Sequence, residues 1–475
     1  MGKEVSNSRF SRQDFKAFSA RIDDETQRLE TWFRMHRFDG SGAQVGFELE
    51  AWLVDREQRP APINETFLER LSNKLVVPEL SRFNVEINGT PQPLTGNAFA
   101  KLHDELEVTW ADCVSTADKL DAQMAMIGHL PTVLAEDLTL EHMSRLARFR
   151  ALNEQVLRLR QGNPLTINIQ GREHLRTAHF DVMLEAAATS FQIHAQVTQA
   201  QSVRFYNAAQ ILSAPMVAAC ANSPFLFGKE LWEETRIPLF EQAIGLQTAE
   251  DGHPSQRVTF GTDYVRDSLF ECFEENRTAY PVLLPALLDE AQDRIPHLRL
   301  HNGTIWRWNR PLIGFNAQGQ PHLRIEHRVV PSGPTVRDCI ANAAFFCGLL
   351  HELGTTATPA EDQLEFADAR SNFYAAARQG LDARIKWLDG EILPIKQLLL
   401  ETLIPAAGKR LEKLGIDGAN IEEAMTIIRE RVASGRNGSW WQRAYRARHQ
   451  CDMNELTRAY LVNQQSGTAV HQWAL

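Results

Sequence analysis

The sequence predicts a protein of the α+β class, in which half-buried strands lie between amphipathic helices. Apolar residues recur at helical spacing in several long segments, and short segments between them alternate strictly between apolar and polar residues. Hydrophobic residues make up 43% of the 475 residues and charged residues 23%. This balance is typical of a globular protein with a sizeable core, and it excludes a disordered or fibrous chain.

The spacing of apolar residues predicts helices near both ends of the chain and between them. The first helix lies in the N-terminal forty residues, and two more are predicted over 97–126 and over 139–160. Thr139 is a suitable N-cap residue and Gly162 a suitable stop. From Asp382 onward the chain is again mostly helical, with charged exposed faces.

Five segments alternate between apolar and polar residues as half-buried strands do. They cover residues 45–53, 83–88, 165–170, 191–197 and 323–330. A strand face in contact with water usually carries Thr, Lys, Ser and mixed charge. The polar faces of these segments instead concentrate Glu, His, Gln, Asn and Arg, which indicates a site.

Carboxylates are prominent on these polar faces. Residues two apart on a strand project from the same side, about 6.6 Å from each other, so Glu48 and Glu50 are neighbours. If the strands form one sheet, the acidic and imidazole side chains converge; they are Glu48, Glu50, Glu86, His194 and Glu326. Carboxylates that close repel one another, and a hard cation such as Mg²⁺ is the usual remedy. Arg328, with Arg307 and Arg310 near it in sequence, suits phosphate or carboxylate oxygens.

The alternative is that each strand has an ordinary polar surface. Each pattern is short, and for any single strand a solvated face with surface ion pairs is the simpler interpretation. His194 taken alone is likewise typical of a satisfied core or surface histidine. Agreement across four strands favours the metal and phosphate site.

Several other chemistries leave no motif in the sequence. It contains no GxxxxGK[ST] loop, no HExxH and no GxSxG, and its six cysteines include no CxxC pair. Sixty acidic residues against 50 basic ones give a net charge of −10, which argues against a nucleic-acid partner. The N-terminus has no apolar signal region, and no segment is long and apolar enough to span a membrane. We therefore expect a cytoplasmic protein with no membrane partner.

An ordered set of motifs resembles the glutamate–cysteine ligases and the related bacterial carboxylate–amine ligases. Residues 46–50, GFELE, are similar to the GxExE strand that opens their catalytic region. Residues 221–225, ANSPF, resemble the ANSP loop of the plant-type ligases, and residues 325–328, IEHR, resemble the E-x-R strand. Further similar segments, which extend the resemblance over nearly the whole chain, are 84–86, 189–194, 303–311, 372–382 and 442–445.

The resemblance implies a glutamine-synthetase-like fold. In this fold a curved, mainly antiparallel sheet holds the active site on its concave face, and α-helices back and flank it. The resemblance also implies ATP and Mg²⁺ as cofactors, with Mn²⁺ as an alternative, and amino acids as the other small-molecule partners. In the family the γ-carboxylate of glutamate is activated as an acyl phosphate, and an amine, typically that of cysteine, displaces the phosphate.

The resemblance further implies roles for individual residues. Arg328 would neutralise the transferring phosphoryl group, and Glu48 would be catalytic with it. Arg310 would fix the acceptor carboxylate from a strand end or loop mouth, and Gln192 and Thr304 would also bind substrate. The Mg²⁺ ligands would be Glu48, Glu50, Glu86, His194 and Glu326.

The resemblance also divides the chain. Residues 1–380 are expected to form the catalytic domain with the polar-faced sheet, and residues 381–475 a helical region packed on the same domain. The sequence leaves open which acid and amine are joined and whether the protein forms a homo-oligomer. The alternative function is a nucleotide- or amino-acid-binding protein of the same fold that is catalytically inactive or regulatory. The retained carboxylates argue against it, because buried like charges are costly without a metal.

Overall fold

A computed structural model of the chain describes residues 4–5, 9–247 and 254–475. The strands are β1 (Gln44–Asp55), β2 (Val76–Pro78), β3 (Asn84–Asn88), β4 (Gln92–Pro93), β5 (Ala122–Ala125), β6 (Leu165–Gln170), β7 (His174–His179), β8 (Phe191–Val197), β9 (Phe225–Leu226), β10 (Lys229–Glu230), β11 (Gly245–Gln247), β12 (Pro254–Gln256), β13 (Val258–Thr259), β14 (Trp306–Arg307), β15 (Asn309–Phe315), β16 (Pro321–His327), β17 (Arg384–Lys386) and β18 (Ile392–Pro394). The α-helices are α1 (Arg12–Arg34), α2 (Asn64–Leu71), α3 (Ala98–Asp118), α4 (Ala147–Leu159), α5 (Ser202–Cys220), α6 (Arg236–Ala243), α7 (Phe270–Ala279), α8 (Pro296–Gly303), α9 (Val336–Gly354), α10 (Phe366–Gln379), α11 (Ile395–Leu398), α12 (Ile404–Lys413), α13 (Gly418–Ser434), α14 (Gly438–His449) and α15 (Met453–Gln465).

Eight strands form the main sheet. Its strand order is β15-β16-β8-β1-β3-β2, and β4 and β5 also pair with β1. Every pair of strands in this sheet is antiparallel, and the sheet curls into a half-barrel. The α+β class and the curved, mainly antiparallel sheet that the sequence predicts are therefore confirmed.

The two faces of the main sheet differ in polarity because side chains alternate along each strand. Phe47, Leu49 and Ile193 are buried on the apolar face. His327 lies on the same face, where its ring stacks on Phe346 of α9 with centroids 4.0 Å apart. Helices α5 and α9 contact this face through β15, β16 and β8. The opposite face is left to the polar side chains.

A buried polar contact ties the C-terminal helices to this core. Asn222 lies in the loop after α5, and its side chain is inaccessible to solvent. Its Nδ2 donates to the hydroxyl of Tyr460 on α15 and to the Ser332 carbonyl, both at 2.8 Å. The Asn222 side chain therefore links α15 to the segment that follows β16.

None of the helices in the described part of the chain is long and apolar enough to cross a membrane.

The helix predicted over 97–126 ends earlier than expected. α3 stops at Asp118, and Asp121 takes a left-handed backbone conformation with φ of 55°. The next residues form β5, which pairs with β1. A short, mostly apolar segment fits a helix or a strand equally well, and the hydrogen bonds to β1 decide for the strand.

The helix predicted over 139–160 begins later, at Ala147. Residues 140–142 form only a 3₁₀ turn. The Arg82 amide donates to the His142 carbonyl at 2.7 Å, and the Ser144 amide donates to the Leu80 carbonyl at 2.9 Å. These bonds hold the chain extended just before the helix. Thr139 therefore precedes a single 3₁₀ turn and is not the N-cap of α4.

The strand predicted over 165–170 forms, but it lies outside the main sheet. As β6 it pairs with β7 in a separate two-stranded sheet that contacts α6. The predicted alternation of buried and exposed side chains is observed along β6, because one face of the strand packs and the other is exposed. Alternation alone does not say which partner strand a segment finds.

A buried carboxyl on α6 makes stability depend on pH. Glu241 accepts hydrogen bonds from Trp308 Nε1 at 2.9 Å and from the Tyr374 hydroxyl at 2.8 Å. Burial raises the pKa of Glu241 from 4.5 to about 7. The pKa of Glu241 is higher in the folded protein than in the unfolded chain. The stability that the protonated Glu241 contributes is therefore fully present below pH 4.5 and is lost as the pH rises through 7.

We predict that Glu241→Gln removes this loss, since the amide keeps an acceptor for both donors and cannot ionise. The free energy of unfolding of the variant should match the wild type at pH 4 and exceed it by about 2–3 kcal/mol at pH 8.5. Urea denaturation at both pH values measures the difference, with the exposed Glu69→Gln as control. An equal difference at the two pH values would contradict the assignment.

Candidate active site

A row of polar side chains crosses the polar face of the main sheet. In the strand register, Arg310 of β15 lies opposite Glu326 of β16, and Glu326 lies opposite His194 of β8. Gln192, two residues before His194, lies opposite Glu48 of β1. Directly opposed residues have Cβ atoms about 4.5–5.5 Å apart, so the register brings these side chains into contact range.

Glu48, His194 and Glu326 form the tightest cluster of this row. One ligand atom from each lies within 4.8 Å of the others. The His194 Nε2 atom is 3.6 Å from Glu48 Oε1 and 3.7 Å from Glu326 Oε1. Within the described residues, neither ring nitrogen of His194 has a hydrogen-bond partner. Burial lowers the pKa of His194 to about 4, although Glu48 opposes this, so the imidazole is neutral at pH 7.

Two arginines converge on Glu326, whose side chain is 1% exposed. Arg310 donates from Nε to Oε2 at 2.8 Å and from Nη2 to Oε1 at 3.1 Å, a bidentate pair. Arg328 donates from Nη1 to Oε2 at 2.9 Å. Burial opposes the ionisation of Glu326, but Arg310 and Arg328 hold its pKa well below the usual range. Glu326 is therefore a carboxylate with its charge already compensated.

Gln192 connects this ion cluster to a second carboxylate. Its side-chain carbonyl accepts a hydrogen bond from Arg328 Nη1. Its Nε2 donates to Glu50 Oε1 at 2.8 Å, and the Ser190 amide donates to Glu50 Oε2 at 2.7 Å. The amide group thus fixes the relative positions of Arg328 and Glu50.

A second acidic group consists of Glu50, Glu79, Glu86 and Glu185. Glu86 of β3 lies directly opposite Glu50 in the register, Glu79 approaches from the loop after β2, and Glu185 approaches from a 3₁₀ turn over residues 183–187. Burial, with the neighbouring carboxylates, raises the pKa of Glu50 to about 7 and that of Glu185 to about 8. The pKa of Glu79 and of Glu86 is raised for the same reasons. Positive charge compensates this group less than it compensates Glu326.

Both acidic groups face one chamber of about 260 Å³. Its charged lining residues are Glu48, Glu50, Glu79, Glu86, Glu185, Glu326, Arg148, Arg299, Arg310, Arg324 and Arg328. A further cavity of about 500 Å³, the outer cavity, adjoins the chamber and shares Glu48, Arg299 and Arg324 with it. His194 and His322 line the outer cavity. The two spaces together can hold ligands larger than the chamber alone.

Thr304 forms part of the chamber wall, and a buried arginine holds it in place. The Thr304 hydroxyl donates to the His301 carbonyl at 2.8 Å and accepts from Arg257 Nη2 at 3.1 Å. Arg257 Nε also donates to the Thr304 carbonyl at 2.8 Å. Burial lowers the pKa of Arg257 to about 9. Arg257 therefore has a positioning role behind the wall.

The donor set of the chamber fits a hard divalent cation. Carboxylate oxygens are the ligands that Mg²⁺ and Mn²⁺ prefer, and the described lining residues include no thiolate of the kind that favours zinc. The neutral ring of His194, on the side of the outer cavity, has no hydrogen-bond partner among the described residues and supplies a nitrogen lone pair. The cluster of Glu48, His194 and Glu326 could hold one ion.

The structure brings all the sequence-predicted residues except Arg307 to these two spaces. The chamber is lined by Glu48, Glu50, Glu86, Gln192, Thr304, Arg310, Glu326 and Arg328, and His194 lines the outer cavity. The five predicted metal ligands do not form one cluster, because only three of them have ligand atoms within 4.8 Å of one another. Glu50 and Glu86 belong to the second acidic group.

The structure separates the expectations about the two arginines. Arg310 lies at a strand end, as the second residue of β15, but its side chain is only 12% exposed and is paired with Glu326. The expectation for Arg307 is wrong. Arg307 points away from the chamber and donates from Nη2 to Glu275 Oε2 and to Asn276 Oδ1, both at 2.8 Å. Strand alternation explains the second result, since its neighbour Trp306 lines the chamber.

Sequence reasoning missed five charged residues of the chamber. They are Glu79, Glu185, Arg148, Arg299 and Arg324. Arg324 could have been found, because it lies two residues before Glu326 and so shares its face. The other four lie on helices, turns or loops, where no alternation marks a face.

Comparison with known proteins identifies the family and the fold. The model of glutamate–cysteine ligase family 2 matches residues 44–461. A solved structure of glutamate–cysteine ligase from Francisella tularensis in complex with AMP has a TM-score of 0.60 at 13% identity, covering 90% of this chain and 90% of that chain. A bifunctional glutathione synthetase from Pasteurella multocida has a TM-score of 0.55 at 10% identity, covering 93% of this chain and 54% of that chain. No curated protein sequence matches the chain. The two structural likenesses confirm the fold that the sequence motifs imply.

We predict that Mg²⁺ stabilises the EDTA-treated protein, because the cation relieves repulsion among the carboxylates. A hundredfold excess over the dissociation constant should raise the melting temperature by about 2 °C. In Glu48→Gln the rise should shrink to less than half, whereas the exposed Glu141→Gln should keep it. Thermal unfolding with and without Mg²⁺ measures this, and an undiminished rise in Glu48→Gln would mean that the ion binds elsewhere.

Proposed function

The chain belongs to glutamate–cysteine ligase family 2, and from that premise we propose that it is an ATP-dependent carboxylate–amine ligase. Glutamate and cysteine are the first substrates to test. The observation that carries the proposal is the polar face of the main sheet, where the metal-ligand cluster and two phosphate-capable arginines lie beside the chamber and the outer cavity. The AMP complex of the Francisella tularensis enzyme supports a nucleotide substrate.

The proposed reaction has two chemical steps. A carboxylate oxygen of the first substrate attacks the γ-phosphorus of ATP, the bond to ADP breaks, and an acyl phosphate forms. The free amine of the second substrate then attacks the acyl carbon, inorganic phosphate leaves, and the nitrogen loses a proton. Both steps need positioning and charge neutralisation more than a protein nucleophile.

The arginines supply part of that neutralisation. Arg328 is fixed by Gln192 on one side and by Glu326 on the other. A guanidinium held in this way costs no reorganisation when charge develops on a phosphoryl group. Arg310, bidentate to Glu326, lies one strand away and can turn its planar fork towards a substrate carboxylate.

The carboxylates and His194 would hold the divalent cation that the family uses. Glu48, His194 and Glu326 would form one ligand set, and Glu50 and Glu86 would contribute further carboxylate oxygens nearby. When bound, the cation neutralises phosphate oxygens during the transfer. A Glu326 that shares its charge with a cation would release donors of Arg310 and Arg328 for anionic groups of the substrates.

A screen of amino-acid pairs tests the function. Each pair is incubated with ATP and Mg²⁺, phosphate release is followed, and products are identified by mass. We expect one pair to give a product lighter by one water than the sum of the two amino acids. EDTA should abolish the activity and excess Mg²⁺ should restore it. Nucleotide binding without turnover for any pair would instead favour a binding protein that has lost the chemistry.

Lysine substitutions should separate the roles of the two arginines, because lysine keeps the charge and loses the planar fork. We predict that Arg328→Lys lowers kcat by about a hundredfold, the scale of losing one transition-state donor. Arg310→Lys should mainly raise KM for the carboxylate substrate. The exposed Arg337→Lys serves as control. Steady-state kinetics with the active pair would show exchanged roles if the two patterns were reversed.

A further inference from the structure

A separate cavity lies behind β14, on the opposite side of this strand from the chamber. Trp306 lines the chamber, and the next residue, Arg307, lines this rear cavity. The rear cavity has a volume of about 260 Å³ and is bounded by α5, α7 and the 261–265 loop. Among the described residues, none lines both the rear cavity and either the chamber or the outer cavity.

Buried polar groups of the rear cavity lack partners. Arg307 is 2% exposed, and its Nη2 is engaged with Glu275, Asn276 and the Cys272 carbonyl. In the part of the chain that the structure describes, Arg307 Nε and Nη1 have no hydrogen-bond partner. The Oε1 atom of Gln210 and the hydroxyl of Tyr264 have none there either. Buried donors and acceptors without partners are costly and rare, so four around one cavity indicate a ligand.

The charges around the rear cavity restrict what that ligand can be. Of the described lining residues, Arg307 is the only cation, whereas Asp263, Glu271 and Glu275 are acidic. Glu271 is held by the backbone amides of residues 266–268, Glu275 is paired with Arg307, and the exposed Asp263 is paired with Arg266. A purely anionic ligand would be repelled by this surplus of carboxylates, and a purely cationic one would leave the Arg307 donors unpaired. A zwitterion satisfies both.

We propose that the rear cavity binds a free α-amino acid. Its carboxylate accepts from the unpaired donors of Arg307, and its ammonium group faces Asp263 and Glu275. Gln210 and Tyr264 supply the remaining polar contacts. The volume suits a molecule of this size, whereas a nucleotide needs a larger pocket. The site is distinct from the substrate chamber and does not depend on the ligase reaction.

Calorimetric titration with the twenty proteinogenic L-amino acids tests the proposal. The titrations use the Arg310→Met background, in which the proposed substrate contact in the chamber is removed. We expect at least one amino acid to bind in this background, with an affinity within twofold of that in the wild-type protein. Added Arg307→Met should weaken this binding by at least tenfold, because the cation that pairs with the ligand carboxylate is lost.

A second variant covers the case in which Arg307→Met does not fold. Thr262 is exposed at the rim of the rear cavity, and its hydroxyl donates to Glu275 Oε1 at 3.4 Å. Thr262→Trp should close the cavity, while Arg307 keeps its bond to the other carboxylate oxygen of Glu275. Thr278→Trp, exposed on α7 outside the cavity lining, is the matched control and should bind as the parent does. We expect at least tenfold weaker binding in Thr262→Trp only.

Three results would overturn the proposal. The first is that no amino acid binds in the Arg310→Met background. The second is that binding persists undiminished in Arg307→Met and Thr262→Trp. The third is that inorganic phosphate binds with the same dependence on Arg307 while no amino acid does, which would make the cavity an anion site. Since none of these readouts is catalytic, they are independent of whether the ligase function holds.

Discussion

The arrangement of the site depends on the register of antiparallel strands that carry like charges on one face. Glu326 lies opposite both Arg310 and His194, and Glu50 lies opposite Glu86. Because side chains alternate, a slip of one residue in any of these strands would turn its charges into the apolar layer over α5 and α9. Packing of the apolar face therefore fixes the positions of the side chains on the polar face. Burial against the helices sets the register, and the register sets the distances among the carboxylates.

The protein compensates these carboxylates in two different ways. Glu326 is neutralised inside the chain by Arg310 and Arg328, and its pKa is held low against the effect of burial. Glu50 and Glu86 are compensated less, and burial raises the pKa of both. In the first arrangement the ionised carboxylate is stabilised by two arginines, and in the second burial and neighbouring carboxylates disfavour ionisation. A chamber that combines both can position anionic substrates beside cations, which is what a phosphoryl-transfer site requires.

Residues outside the sheet complete the chamber and keep it in shape. Arg257 is buried behind the wall and holds Thr304 through its Nε and Nη2 atoms, while its Nη1 donates to the Pro281 carbonyl. β14 separates the chamber from the rear cavity by the width of one strand, with Trp306 on one side and Arg307 on the other. Alternation of side chains along a strand builds the polar face of the main sheet. The same alternation along β14 places the buried Arg307 in the rear cavity.

The sequence by itself determined which face of each strand is polar, because alternation is a local property of the backbone. It therefore identified Glu48, Glu326 and Arg328 as members of one site, and the ordered motifs identified the family. Only the tertiary structure decided which segments pair. It placed 165–170 in a separate hairpin and ended the helix predicted over 97–126 before a strand. It also brought Glu79 from a loop and Glu185 from a 3₁₀ turn to the chamber. These outcomes depend on hydrogen bonds and packing between residues far apart in the chain, for which a local pattern carries no information.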